Sequence, residues 1–241
     1  MKILITGASG GLGLSLTTEA LKRGHSVIAA CLFDPATEEG IVKLRKEYPE
    51  ALFPIQMDVS NEEDVKARAQ EVLREHPVID CVINNAGVLL ESKYDLEDPI
   101  PNLDIAKLRK SIEVNAVGHA IVLKYFIPGI YASSKPCIIN ITSEAGHLEP
   151  ESYTYLAYSV SKHAANMYSQ KIRNYLAQSP EHSNVRLFML HPGRMFTEMG
   201  KENAQIQPEV SARGILDIVE GKIDPKLDIP FIDYQGNPMP Y

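Results

Sequence analysis

Tyr158 and Lys162 stand four residues apart in Tyr158-Ser159-Val160-Ser161-Lys162. On a helix that spacing places both side chains on one face. An ammonium beside a phenol stabilises the phenolate and lowers a pKa that is near ~10 in a free tyrosine. A phenol tuned toward neutrality can give or take a proton in catalysis. The same spacing also occurs on solvated helices, where it does no chemistry. Three other tyrosines compete: Tyr153, Tyr155 and Tyr168 have Ala157, Ser159 and Ile172 four residues on. Of these four, Tyr158 is the one with a cation at that position.

A second constellation opens the chain. Thr6-Gly7-Ala8-Ser9-Gly10-Gly11-Leu12-Gly13 follows an apolar, strand-like run and precedes a helical pattern. The glycines at 7, 11 and 13 permit a tight turn and close backbone approach. The helix start beyond them offers free N–H groups and the positive end of a dipole, a suitable seat for a pyrophosphate. The alternative is a glycine-rich turn that only packs the helix. The run lacks the Gly-Lys-Ser/Thr ending of a P-loop.

These motifs need elements to position them. Short apolar runs at Lys2–Thr6, Ser26–Leu32, Ala51–Met57, Ile79–Asn84, Pro136–Thr142, Asn184–Leu190 and Ile229–Tyr234 predict strands. Helical patterns fill roughly 12–23, 36–47, 61–75, 104–131, 152–178 and 208–221 between them. Strands alternating with helices predict βαβ units and a parallel sheet. Runs such as Val27-Ile28-Ala29-Ala30 lack polar alternation, as expected of a sheet covered on both faces. Two long loops, 88–103 and 194–207, are placed to border a site.

The 241 residues fit one α/β domain, and 44% hydrophobic residues suffice for its core. The formal net charge of −7 argues against a nucleic-acid partner, which calls for a basic surface. Cys31, Cys81 and Cys137 are odd in number, widely spaced and set in strand-like runs, so buried free thiols are expected. No Cys/His spacing suggests a metal site. The apolar run at the N-terminus is too short for a signal peptide, and no run approaches the ~18 residues of a membrane helix. The expectation is a cytoplasmic protein with no membrane partner.

Gly7-x-x-x-Gly11-x-Gly13 preceded by Thr6 resembles the fingerprint of the short-chain dehydrogenases/reductases. Further signatures of that family follow in order. They are Asp58-Val59, Asn84-Asn85-Ala86-Gly87, Asn115 within Val114-Asn115-Ala116, Ser143 after Asn140-Ile141-Thr142, then Tyr158 and Lys162, then Pro192-Gly193-Arg194-Met195-Phe196-Thr197. His191-Pro192-Gly193 and the ending Phe231-Ile232-Asp233-Tyr234-Gln235-Gly236 look most like the small C-factor-like carbonyl reductases. The resemblance spans nearly the whole chain. It implies one Rossmann-type, doubly wound domain over 1–241 with a mainly parallel, seven-stranded sheet.

The resemblance also implies hydride transfer between NAD(P)(H) and a carbonyl or secondary alcohol. Tyr158 would be the general acid/base, tuned by Lys162, which would also bond the nicotinamide ribose. Ser143 would hold the substrate oxygen, and Asn115 would anchor a water linking Lys162 to solvent. The cofactor would lie along Gly7, Ser9, Gly10, Gly11, Leu12 and Gly13, then Cys31 and Leu32, Asp58 and Val59, Asn85, Ala86 and Gly87. It would end at Tyr158, Lys162, Pro192, Gly193 and Thr197. Each has a plainer reading: Asn115 as a solvated helix residue, Ser143 as a turn serine, Thr197 as a helix N-cap before Glu198. His147, His163 and His191 read as structural.

Cofactor choice rests on missing charges. NAD-preferring relatives place an acid at the end of the second strand, where this chain has Cys31, Leu32 and Phe33. Gly10 stands where NADP-preferring relatives often carry a base. Without an acid there is less repulsion of a 2′-phosphate, which favours NADP(H) slightly over NAD(H). The substrate pocket is expected around Leu89, Glu144, His147 and the 194–207 loop with Met195, Phe196 and Met199. Arg194 either binds an anionic substrate group or pairs with Glu198. By resemblance the chain forms a homodimer or homotetramer through the helices at 104–131 and 152–178. The alternative function is a dinucleotide sensor without chemistry. An epimerase or dehydratase of the extended branch would need a longer C-terminal region than 198–241 offers.

Overall fold

Aliphatic runs buried on both faces form the strands, as their lack of polar alternation requires. The computed structural model describes residues 1–92, 98–148, 152–200 and 204–241, so 93–97 and 201–203 of the two expected loops lie outside the described residues. The strands are β1 (Lys2–Thr6), β2 (Ser26–Cys31), β3 (Leu52–Gln56), β4 (Cys81–Asn84), β5 (Cys137–Ile141), β6 (Arg186–His191) and β7 (Phe231–Asp233). The helices are α1 (Gly11–Lys22), α2 (Glu39–Glu47), α3 (Glu62–Glu75), α4 (Ile105–Ile112), α5 (Gly118–Tyr131), α6 (Leu156–Gln178) and α7 (Pro208–Val219). All seven strands pair in parallel in the order β3-β2-β1-β4-β5-β6-β7. The sheet is thus doubly wound, and the order reverses between β1 and β4.

Helices cover both faces. Leu12, Leu16, Ile41, Ile215 and Leu216 pack one face, and Val65, Val72, Val122, Phe126 and Leu176 pack the other. Pro54, which cannot donate to a ladder, sits in the edge strand β3. The three cysteines are free and buried, as expected, and Cys81 and Cys137 are register partners on β4 and β5. No helix among the described residues is long and apolar enough to cross a membrane.

Three element boundaries differ from the sequence expectation for reasons that matter. The pattern at 36–47 becomes a helix only at Glu39, because Asp34 first turns the chain by accepting the Ala36 and Thr37 N–H groups on Oδ1 and its carbonyl oxygen respectively. The expected single helix over 104–131 is α4, capped by the Asp104 carboxylate, then a π-helical turn at Glu113–Val117, then α5. The expected helix over 152–178 starts at Leu156, because Tyr155 takes a left-handed conformation with φ +54°.

A buried polar chain fixes α6 against the sheet. Asn84 Nδ2 donates to Asn140 Oδ1 at 2.8 Å, and Asn140 Nδ2 donates to Ser169 Oγ at 2.8 Å. Both asparagines and the serine are fully buried. Their mutual pairing gives partners to both amide nitrogens and to Asn140 Oδ1, leaving Asn84 Oδ1 unpaired among the described residues, and it couples β4 and β5 to the helix carrying Tyr158 and Lys162.

Candidate active site

Every expected site residue from a strand end falls at the carboxyl edge of the sheet, around the point where strand order reverses. Open α/β sheets bind ligands there. The glycine turn leaves β1, Asn85-Ala86-Gly87 leave β4, Ser143 leaves β5, and Pro192-Gly193 leave β6. Asp58 and Val59 fall just past the end of β3 rather than on it, where Asp58 Oδ1 accepts from the Ser60 N–H and hydroxyl.

The glycine turn fits a dinucleotide. Gly7 and Gly11 have φ of +63° and +48°, which only glycine adopts without strain. A Cβ on Gly13 would stand 2.0 Å from the Gly7 carbonyl oxygen. A Cβ on Gly10 would meet nothing within 4 Å, so the backbone at the start of α1 is open to a ligand. No side chain caps α1 and its first turn has no acid, which leaves its N–H groups and dipole available to phosphate. Thr197 stands over this turn, its methyl 3.5 Å from a Cβ placed on Gly11. Thr197 opens a turn closed by the Gly200 N–H, not the helix that an N-cap would imply.

Asn85 serves this cradle through its scaffold. Its Nδ2 donates to the carbonyls of Thr6 and Gly7 at 2.9 and 3.2 Å, and Thr6 Oγ1 accepts the Asn85 and Ala86 N–H groups. The end of β2 differs from the sequence picture. Cys31 is wholly buried, its thiol donating to the Ala29 carbonyl at 3.7 Å with Ser9 nearby. Burial, then the charge of Glu38, pushes its thiol up to about 11. Leu32 and Phe33 are exposed beside it. Glu38 is thus an acid near this corner that the strand-end position did not reveal.

Tyr158, Ser143 and Lys162 converge. Ser143 Oγ is within hydrogen-bonding reach of the Tyr158 phenol. Lys162 Nζ lies 5.6 Å from the centre of the Tyr158 ring and donates to the Ile141 carbonyl at 3.0 Å. The expected lowering of the phenol by Lys162 is not what the structure gives. Burial pushes Tyr158 up to about 12, with Ser143 opposing and Glu144 adding. Burial also pulls Lys162 down to about 8. Desolvation favours the neutral form of each group, so at neutral pH the phenol holds its proton.

Asn115 lies in the π-turn, fully buried, and not on a solvated helix face. Its Oδ1 accepts the Val88 N–H at 2.7 Å, and its Nδ2 donates to the Val88 carbonyl and to Ser161 Oγ, each at 2.9 Å. A Cβ on Gly87 would come within 3.1 Å of Asn115 Oδ1 and 3.5 Å of Lys162 Nζ. The asparagine and the lysine therefore face each other across Gly87, while the asparagine amide is committed to Val88 and Ser161.

The three histidines given structural readings support the segment after β5. His191 Nδ1 accepts the Glu144 N–H at 3.1 Å, His163 Nδ1 meets the Gly146 carbonyl at 2.9 Å, and His147 meets the Glu144 carbonyl. Arg194 does not depend on Glu198: its Nε donates to Glu144 Oε1 at 2.6 Å. This pair borders a polar hollow of about 390 Å³ that also meets His191, Gln205, Asp233 and Tyr234. One buried group had no sequence signal. His119, four residues past Asn115, is wholly buried, and neither ring nitrogen meets a hydrogen-bond partner among the described residues. Burial and then the Lys162 charge pull it down to about 3, with the Ala86 backbone weakly opposing, so its ring is neutral.

A glycine cradle beside a half-buried phenol and serine and a buried lysine defines a dinucleotide-dependent oxidoreductase. The short chain dehydrogenase family profile matches residues 1–207, and the chain belongs to that family. It is 29% identical over 221 residues to the 1-hydroxy-2-glutathionyl-2-methyl-3-butene dehydrogenase of Rhodococcus sp. (strain AD45), covering 89% of this chain and 88% of that one. It is 31% identical to mouse retinol dehydrogenase 14, matching 83% of this chain but spanning 62% of that protein. Its fold superposes on the carbonyl reductase Sniffer of D. melanogaster with a TM-score of 0.88 at 22% identity, covering 100% and 99% of the two chains. It also superposes on an NADPH-bound carbonyl reductase from chicken fatty liver with a TM-score of 0.86 at 24% identity, covering 100% and 98%.

Burial of Lys162 carries a measurable stability cost. Burial pulls the folded amine down to about 8, against 10.5 in the unfolded chain. Between these values the unfolded chain binds more protons, so this group's contribution to stability rises with pH across that window and the cost is complete below it. Lys162→Met is therefore expected to stabilise the fold at pH 7, by on the order of 3 kcal/mol. The gain should shrink as pH rises from 8 toward 10.5. Urea unfolding at pH 7 and pH 10 checks it; a variant no more stable than the parent at pH 7 would contradict the assignment.

Proposed function

We propose that this protein reduces a small to medium carbonyl compound, or oxidises the corresponding secondary alcohol, with Tyr158 as general acid/base. The observation that carries the reading is the convergence of half-buried Tyr158 and Ser143 with buried Lys162 beside the glycine cradle. A bound nicotinamide dinucleotide supplies or accepts the hydride. Every other task falls to the chain. Tyr158 Oη gives its proton to the substrate oxygen in reduction and takes one in oxidation. Ser143 Oγ donates a hydrogen bond to the same oxygen as charge develops on it. Lys162 places a cation next to the phenol and, with Thr197, the Gly7–Gly13 turn and Asn85–Gly87, would hold the cofactor. A phenol that keeps its proton at neutral pH is the form that reduction consumes, which supports the reductive direction.

NADP(H) is the favoured cofactor. The end of β2 presents no acid at the expected position, and a relative of the same fold carries NADPH by its description. Glu38 near Cys31 works against the preference. The Arg194–Glu144 pair occupies the arginine internally, so an anionic substrate group would have to compete with Glu144. A homo-oligomer is supported by exposed Val117, Val160 and Met167 on the π-turn and α6, apolar side chains that a partner would cover. A cytoplasmic location accords with the three free thiols.

Tyr158→Phe is expected to lower carbonyl reduction by at least 10³-fold while NADPH affinity changes less than about threefold, since one proton donor is lost and the cradle is untouched. Near-normal turnover would sink the assignment. Fluorescence titration should show NADPH binding more tightly than NADH; a tenfold advantage for NADH would reverse the cofactor preference. Light scattering on the eluting chromatographic peak should give twice or four times the 26.7 kDa chain mass; a monomer at micromolar concentration would remove the oligomer.

A further inference from the structure

One carboxylate apart from Tyr158, Ser143 and Lys162 is bound to the backbone of the tyrosine. Helix α6 begins from Tyr155, the only non-glycine residue with positive φ among the described residues, and the Tyr155 side chain does not cap it. The free N–H groups of the first turn are taken by Glu91, 66 and 67 residues away in sequence. Glu91 Oε1 accepts the Ala157 N–H at 3.0 Å, and Oε2 accepts the Tyr158 N–H at 2.9 Å. An anion with two oxygens on two successive amides at a helix start is stabilised by those bonds and by the dipole.

The segment that carries Glu91 is itself held. Val88, three residues before it, is bonded through both its N–H and its carbonyl to the Asn115 amide. The same amide bonds Ser161 Oγ, whose hydroxyl donates to the Tyr158 carbonyl at 2.6 Å. Tyr158 is thereby gripped at both of its backbone polar groups: its N–H by Glu91 and its carbonyl by Ser161. The two grips meet at Asn115 through Val88. The direction of the phenol follows from that backbone.

We propose that Glu91 is a positioning residue for Tyr158. It sets the first turn of α6 from the loop after β4 and so fixes where the phenol oxygen meets the substrate. The inference rests on Tyr158 being the proton donor. Small displacements of a reacting group can lower rates about 10²-fold while binding is kept, and that is the signature expected here.

In Glu91→Ala, kcat for carbonyl reduction should fall at least tenfold, with KM for the carbonyl and Kd for NADPH within twofold of the parent. Glu91→Gln keeps one acceptor oxygen and loses the second, so it should fall between the parent and the alanine variant. Amide exchange followed by NMR reads the grip without turnover: Ala157 and Tyr158 should exchange at least tenfold faster in Glu91→Ala, with Lys162 unchanged. Parent-like kcat in either variant would overturn the proposal. So would a fall in which NADPH affinity and kcat drop together and glutamine does no better than alanine. If Glu91→Ala does not fold, the glutamine variant decides by the same two measurements. A parent enzyme inactive on every carbonyl would instead strike the functional reading, leaving the exchange result to judge Glu91 alone.

Discussion

The hydrogen bond from Lys162 Nζ to the Ile141 carbonyl is the interaction around which the site is arranged. A lysine amine 3% exposed must find oxygen inside the protein, and a strand end is where backbone oxygen is free to give. That need places α6 against the end of β5. At Gly87 a Cβ would press on Asn115 Oδ1 at 3.1 Å and come into ordinary contact with the amine at 3.5 Å. The amine sits where it is poorly solvated, and the fold accepts the desolvation.

Around that bond, the polar interior works as a set of ties between elements that no apolar contact would orient. Asn84, Asn140 and Ser169 bind β4, β5 and α6. Asn85 binds the end of β4 to the glycine turn. Asn115 binds the π-turn to the loop after β4 and to α6. Hydrophobic burial on the two faces holds the layers together, but it is indifferent to small rotations. Directional bonds decide the angles at which side chains arrive at the sheet edge.

Most of this was legible in the sequence where the signal is local. The four-residue spacing of Tyr158 and Lys162, the glycines between a strand and a helix, and the unalternated strands all state their geometry directly. The failures share a cause. Whether Lys162 lowers the Tyr158 phenol depends on burial, which is set by elements distant in sequence, and burial prevailed. Arg194 met Glu144 rather than Glu198 because the fold brings β5 and β6 side by side, which outweighs a spacing of four residues. Glu38, Glu91 and His119 carry no pattern of their own. A carboxylate that reaches a helix start 66 residues later looks, in sequence, like any loop acid. The start of α6 was misplaced for the same reason, since no residue before it announces the left-handed Tyr155.

The π-turn at Glu113–Val117 is a place where the helix absorbs a change of chain length. A π-turn accommodates one residue more than an α-helical turn. Removing a single residue there would let the helix close up into regular winding, with α5 keeping the face it presents to the sheet. The residue that would lose its place is Asn115, whose amide reaches Val88 and Ser161 from inside the turn. The extra residue thus serves the aim of one side chain rather than the packing of the helix.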